Sequence, residues 1–175
     1  STAGITGVTA ENLTDVNTAI DAAEATGADT ASEIQAIVDQ VIADLAAAAA
    51  VVAAVDKIEA YAGSNTNPAP ELADYSTAGI TGVTAENLAD VNAAIDTAEA
   101  MGADTASEIQ AIVDQVIADL AAAAAVVAAI DKIEAYAGSN TNPAPELADY
   151  STAGITGVTA ENLTDVNTAI DAAEA

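Results

Sequence analysis

A phrase of 75 residues recurs without a gap: Ser1–Tyr75 aligns to Ser76–Tyr150, and Ser151–Ala175 opens a third copy. This self-similarity constrains the fold more than any other feature. A unit repeated at fixed period buries its apolar face against neighbours of its own kind. The two full copies differ only at Thr14/Ala89, Thr18/Ala93, Ala22/Thr97, Thr26/Met101 and Val55/Ile130, all small or helix-compatible exchanges. The chain thus divides into helical repeat 1 (1–75), helical repeat 2 (76–150) and a partial repeat 3 (151–175). The opening words STAGITGVTAENL lack the basic and apolar regions of a signal peptide. Because they recur internally, the sequence is expected to start inside a repeat of a longer parent.

Each copy reads as three helices. The first is expected after Thr9, whose hydroxyl can cap the amides of AEN, with Val8 and Leu13 as a hydrophobic staple. Leu13, Val16 and Ile20 follow at helical spacing, and Gly27 marks its end. The second opens at Thr30 with the capping box TASE, Glu33 standing at the reciprocal position, and runs to Gly63. That is roughly 32 residues, about 48 Å at 1.5 Å per residue. Its apolar positions Ile34, Val38, Val41, Leu45, Ala48, Val52 and Val55 alternate in steps of four and three, the spacing of a coiled-coil seam. Ile37, Val51 and Ile58 widen the stripe, so more than one neighbour is expected. After Gly63, Pro68 and Pro70 forbid helix in SNTNPAP. A short third helix is expected in PELADYSTAG, with Pro70 in its first turn and Leu72, Tyr75 and Ile80 available to bury.

Fold class follows from these elements and from which side chains are missing. The chain has no Phe, Trp, Cys or His and a single Met. Alanine supplies most of its apolar content, offering little surface to bury but the best helix propensity. The expectation is all-α: tandem three-helix repeats stacked side by side in an elongated, solenoid-like array. End-to-end three-helix bundles are the alternative. The short TGAD connection implies an antiparallel hairpin. Short helix plus next first helix, about 40 Å, nearly matches one long helix. The last 25 residues (151–175) would add a closing leg to the array.

Within the long helix, ADLAAAAAVVAAVDKIEAYAG raises the question of a membrane anchor. Between Asp44 and Asp56 lie eleven uncharged residues, about 17 Å of helix against a bilayer core of about 30 Å. No membrane insertion is therefore expected. The alanine run is read instead as a close helix–helix approach. Leucine at Ala48 or Ala123 would then overpack the contact and cost about 1–3 kcal/mol.

Charge narrows the partners. Twenty-eight acidic side chains face only Lys57 and Lys132, a net charge of -26. Nucleic acid and anionic lipid are excluded for want of clustered cations. Self-repulsion of this size is relieved by salt, with diffuse counter-ions, calcium among them, along the acidic surface. The melting temperature is expected to rise from low salt to about 0.5 M, where screening has collapsed to a few ångströms; a flat series would show that repulsion is unimportant.

A search for chemistry yields no catalytic, cofactor-binding or metal site. Without His and Cys the usual bases, nucleophiles and zinc ligands are missing. Ser32, Ser64 and Tyr61 have no basic partner at any repeated spacing. Lys57, between Asp56 and Glu59, reads as a surface charge. The pairs Glu11–Asp15, Asp21–Glu24 and Asp56–Glu59 each share a helix face, yet calcium needs six to eight oxygens, usually from an enfolding loop. The loop oxygens of Ser64, Asn65, Thr66 and Asn67 form the one plausible cluster, and turn chemistry accounts for them. A threonine row for ice binding fails because Thr14 and Thr18 become Ala89 and Ala93. TAGITGVT lacks the lysine of a phosphate cradle.

The phrases KIEAYAGSNTNPAPELADYSTAGITGVTAENL and DVNTAIDAAEATGADTASEIQAIVD resemble the alanine-rich helical tandem repeats of very large Gram-negative surface adhesins of the type I secreted, RTX type. The resemblance covers the whole chain. It implies an extracellular location at the bacterial cell surface and a non-catalytic role as extender repeats that project a ligand-binding region from the cell. Similar repeats are also grouped with albumin-binding-like three-helix modules. That grouping keeps open the alternative of a module capturing a host or matrix protein through an exposed helix face. The glycine-aspartate calcium nonapeptides, a retention region and a binding domain of such adhesins are not among these 175 residues.

Overall fold

A computed structural model describes residues 4–23, 27–64, 66–98, 102–138 and 141–173. Among them are seven helices and no strand: α1 (Leu13–Ala22), α2 (Ala31–Tyr61), α3 (Leu72–Thr77), α4 (Leu88–Thr97), α5 (Ala106–Tyr136), α6 (Leu147–Thr152) and α7 (Leu163–Asp171). The all-α expectation holds. The chain forms two compact units, Ser1–Ile112 and Val113–Ala175. Their boundary falls inside α5, whereas the repeat junction Tyr75/Ser76 falls inside α3. The phase of a sequence period is arbitrary, and packing does not respect it.

The long helices begin as their sequence dictates. Thr30 is the N-cap of α2 in extended conformation, its hydroxyl accepting from the Glu33 N–H while the Glu33 carboxylate accepts from the Thr30 N–H. Thr105 and Glu108 repeat the box before α5. At the far end Gly63, with φ +65°, turns the chain out of α2, and its N–H donates to the Asp96 carbonyl of α4 at 3.0 Å.

The first helix of each copy starts later than expected. Asn12, not Thr9, is the N-cap of α1. Its Oδ1 accepts from the Thr9 N–H and its Nδ2 donates to the Gly7 carbonyl, so the amide side chain shapes the approach loop from both ends. Asn87 and Asn162 do the same in the other copies. The staple does not close in copy 1, where Val8 and Leu13 stay 40% and 47% exposed. α1 also stops at Ala22, short of Gly27. Pro70 precedes the N-cap Glu71 of α3 rather than entering the helix, and its ring is fully buried. Thr26, Glu24, Asn65 and Met101 lie outside the described residues.

In the first unit α2 packs against α1, α3 and α4. Its burial is confined to its ends, Val38 near the start and Ala54 and Ile58 near the finish. The intervening stretch 42–53 is exposed throughout, with Val52 at 60%. The continuous seam and the close approach at the alanines are therefore corrected. Length is the reason: α2 spans about 46 Å, while α1 spans about 15 Å and α3 about 9 Å. The linkers between such short legs are not helical; Gly79 and Gly82, at positive φ, turn the one between α3 and α4. They add reach without adding a helical face. α5 repeats the pattern in residues 117–128. Since Ala48 faces solvent, Ala48→Leu is expected to change stability by less than about 0.5 kcal/mol; a larger loss in urea unfolding would place a neighbour there.

Both long helices are long and apolar enough in composition to cross a membrane. Asp44 and Asp119 nevertheless interrupt their apolar stretches.

Candidate functional site

The residues that converge do so at a clasp between the end of each long helix and the legs that follow it. Tyr75, on the six-residue α3, is fully buried. Its hydroxyl donates to Asn92 Oδ1 of α4 at 2.6 Å, and Asn92 Nδ2 donates to the Pro70 carbonyl at 3.0 Å. One amide side chain thereby ties α4, α3 and the proline loop together. The second unit holds the same chain of bonds through Tyr150, Asn167 and Pro145. Burial pushes the phenols of Tyr75 and Tyr150 up, the nearby charges of Tyr61 and Asp74, or Tyr136 and Asp149, adding to the effect. Such phenols stay protonated as donors; they are not poised as bases.

Lys57 is more than the surface charge expected of it. Its Nζ reaches Asp74 Oδ2 of α3 at 2.5 Å, and that same oxygen accepts the Glu71 N–H. Lys132, Asp149 and Glu146 repeat the arrangement. Among the described residues each lysine is thus spent on holding a short helix to a long one. The Lys132 hydrogen bond, followed by the Glu146 N–H, holds the Asp149 carboxyl below its ordinary value of 3.8 against a smaller opposing desolvation. A depressed carboxyl stabilises above its unfolded pKa and loses that contribution as pH falls through its native one. The advantage of the native chain over Lys132→Met is therefore expected to persist above the ordinary carboxyl value of 3.8 and to be lost as pH falls through the lower native one. Urea unfolding across that window checks it; a difference independent of pH would show that only the lysine's aliphatic stem matters.

Other residues weighed from sequence do not converge. Ser64 Oγ and Thr66 Oγ1 bond each other at 3.0 Å, and Asn67 Nδ2 donates to the Ala60 carbonyl, which is turn chemistry. Asn65, and Glu24 of the Asp21–Glu24 pair, lie outside the described residues. The carboxyls of Glu11 and Glu86 are held low by main-chain N–H groups and then by Thr9 and Thr84, and that of Glu161 by Thr159 and then by the main chain. That is the behaviour of helix-start acids. Oδ1 of Asp96, and of its repeat Asp171, is shielded from solvent without a hydrogen-bond partner. It is one oxygen where calcium needs six to eight. No group of three or more metal-capable side chains occurs among the described residues.

Two clefts lie in the second unit. One, about 310 Å³, has an alanine floor and the Lys132–Asp149 pair at its rim. The other, about 250 Å³, is almost wholly apolar and lies among Ile130, Ile133, Ile155 and Ile170. Neither aligns a nucleophile with a base.

Sequence reasoning missed Asp74, Asn92 and the glutamines Gln35 and Gln110. Gln35 pairs its side-chain amide with both main-chain groups of Thr6: Oε1 accepts the N–H at 2.8 Å and Nε2 donates to the carbonyl at 3.1 Å. Gln110 treats Thr81 identically. In the sequence Lys57 reads as a surface charge, because its spacing of seventeen residues to Asp74 follows no helical period. Comparison with known family models, curated proteins and solved structures finds no match.

Proposed function

We propose that this chain is a non-catalytic structural spacer, extender repeats of a large bacterial cell-surface adhesin that carry a ligand-binding region away from the cell. In this reading the chain is extracellular. Its partners are neighbouring repeats of the same chain, stacked as an array, with no nucleic acid, no cofactor, no catalytic residue and no membrane insertion. The observation that carries the reading is the recurrence of one clasp, Lys–Asp, Tyr–Asn and Asn–Pro, in both units. Polar side chains are used to join helices at both clasps, and the lysine and aspartate that reach a cleft are paired with each other. Strong acidity keeps such a stalk soluble and apart from its neighbours.

Small-angle scattering on chains of one, two and three repeats tests it. Maximum dimension should grow in equal steps, about 10 Å per copy for side-by-side stacking or about 50 Å for end-to-end bundles. A dimension that does not grow with copy number overturns the spacer reading.

A second reading rests on the bare middle of each long helix, where Ile42, Leu45, Val51 and Val52 recur as Ile117, Leu120, Val126 and Val127, all exposed. Apolar side chains repeated at helical spacing suit capture of a protein through one helix face. Saturable binding of a host or matrix protein, lost on Val52→Glu with Val127→Glu, would favour this reading over the spacer.

A further inference from the structure

The same first-helix module, GITGVTAENL followed by DVN and AID, occurs three times in three surroundings, so the chain contains its own control. The module around α4 lies between α2 and the Gly102–Ile112 segment that follows it. There Val91 and Ile95 are fully buried and Ile80 is 6% exposed. The module around α7 has α5 before it and no long helix after it, and α7 buries no residue. Ile155, the repeat of Ile80, is 44% exposed. Local backbone is not the cause, because Ile80 and Ile155 donate the same bond to Tyr75 and Tyr150.

What the α7 module lacks can be read from the first unit. Ala103 and Ile109, in the segment after α4, are completely buried. Gln110 of that segment clamps Thr81, and the Asp104 carboxyl is raised first by its hydrogen bond to Glu108, with Glu59 of α2 among its charged neighbours. Bonded to Thr81 and near Glu59, this segment is held beside the module that carries Val55, Ile58, Ile80 and Ile95, the positions that correspond to Ile130, Ile133, Ile155 and Ile170 of the 250 Å³ cleft. The loop glycine agrees. A Cβ on Gly7 would meet Ile42 of the following long helix at 2.7 Å, whereas one on Gly157 would meet nothing within 4 Å.

We infer that the cleft between α5 and α7, with the main-chain groups of Thr156 at its edge, is the seat for the start of another repeat's long helix. The occupant is the segment GADTASEIQAIV: its first alanine and first isoleucine fill the cleft, and its glutamine pairs with the Thr156 N–H and carbonyl. Recognition would be selective, because the apolar plug and the two-bond glutamine clamp must arrive on one helix face at fixed spacing. Continuity with the interface already formed around α4 supports this occupant. The inference rests on the repeat-array reading and adds the contact that makes successive copies register.

Hydrogen exchange tests it. The 175-residue chain is compared with the same chain lengthened by a copy of residues 26–63. On lengthening, the Thr156 amide and the amides of α7 should slow by roughly tenfold or more, to the rates of Thr81 and α4. Changing the added glutamine to alanine should return Thr156 alone toward its fast rate. Unchanged exchange in α7 overturns the inference, and so does slowing that ignores the glutamine at Thr156. Scattering on the same two chains separates the outcomes: growth in length with unprotected α7 leaves the spacer reading standing and removes only the docking contact.

Discussion

Replacing Tyr75 with alanine is expected to destabilise the first unit by about 3–5 kcal/mol, the range for removing a buried aromatic ring. The ring is wholly buried and its hydroxyl is bonded to Asn92. α3 is only six residues long, too short to persist without tertiary support, and beside the Lys57–Asp74 pair this ring is its largest attachment. Alanines cannot compensate, and the chain has no Phe or Trp to share the load. Tyr75→Phe should cost less, about 1–3 kcal/mol, because the ring remains and only the Asn92 carbonyl loses its donor. Urea unfolding followed by circular dichroism checks both. A loss below about 1 kcal/mol for the alanine variant would mean that the ring is not the main attachment of α3.

Ile80→Ala should cost about 2–5 kcal/mol, the usual range for a buried isoleucine, while Ile155→Ala should cost about 1 kcal/mol or less, since much of its surface already meets water. The two residues have near-identical sequence surroundings, make the same main-chain bond, and differ in exposure, 6% against 44%. The pair thus isolates the contribution of neighbours from that of local sequence. Equal losses in matched unfolding experiments would mean that burial by the next long helix start adds nothing.

Some of this was legible in the residues alone. TASE placed the start of α2 and α5 correctly, because a capping box is a local device whose donors and acceptors all lie within four residues. Gly63 marked the end of α2 for a similar reason, a turn with positive φ that side chains disfavour. The short third helix was also readable from PELADYSTAG, and of the residues it offered for burial Tyr75 and Ile80 are buried whereas Leu72 is 38% exposed. The continuous seam was not. Val38, Leu45 and Val52 share the same spacing, yet Val38 is buried while the other two are exposed. Periodicity states which side chains share a face; it does not state whether a neighbour is long enough to cover that face.

Most of the clasp lay beyond sequence reach. Lys57 and Asp74 are seventeen residues apart, as are Tyr75 and Asn92, and Gln35 meets Thr6 across twenty-nine. Each pairing exists because a proline loop or a glycine turn folds one leg back, and no helical period encodes that return. Asn12 stands where Thr9 was expected because an amide carries its acceptor and its donor on two separate atoms, which here fasten the Thr9 N–H and the Gly7 carbonyl.

The sequence by itself determined the helical class, the repeat, the acidity and the starts of the long helices, since propensity, period, charge and capping act over a few residues. Only the tertiary structure decided which copies of a residue are buried, what each lysine holds, and that the alanine middles stand open. Those outcomes depend on the length and direction of neighbouring legs, and three nearly identical modules in different surroundings make that dependence measurable.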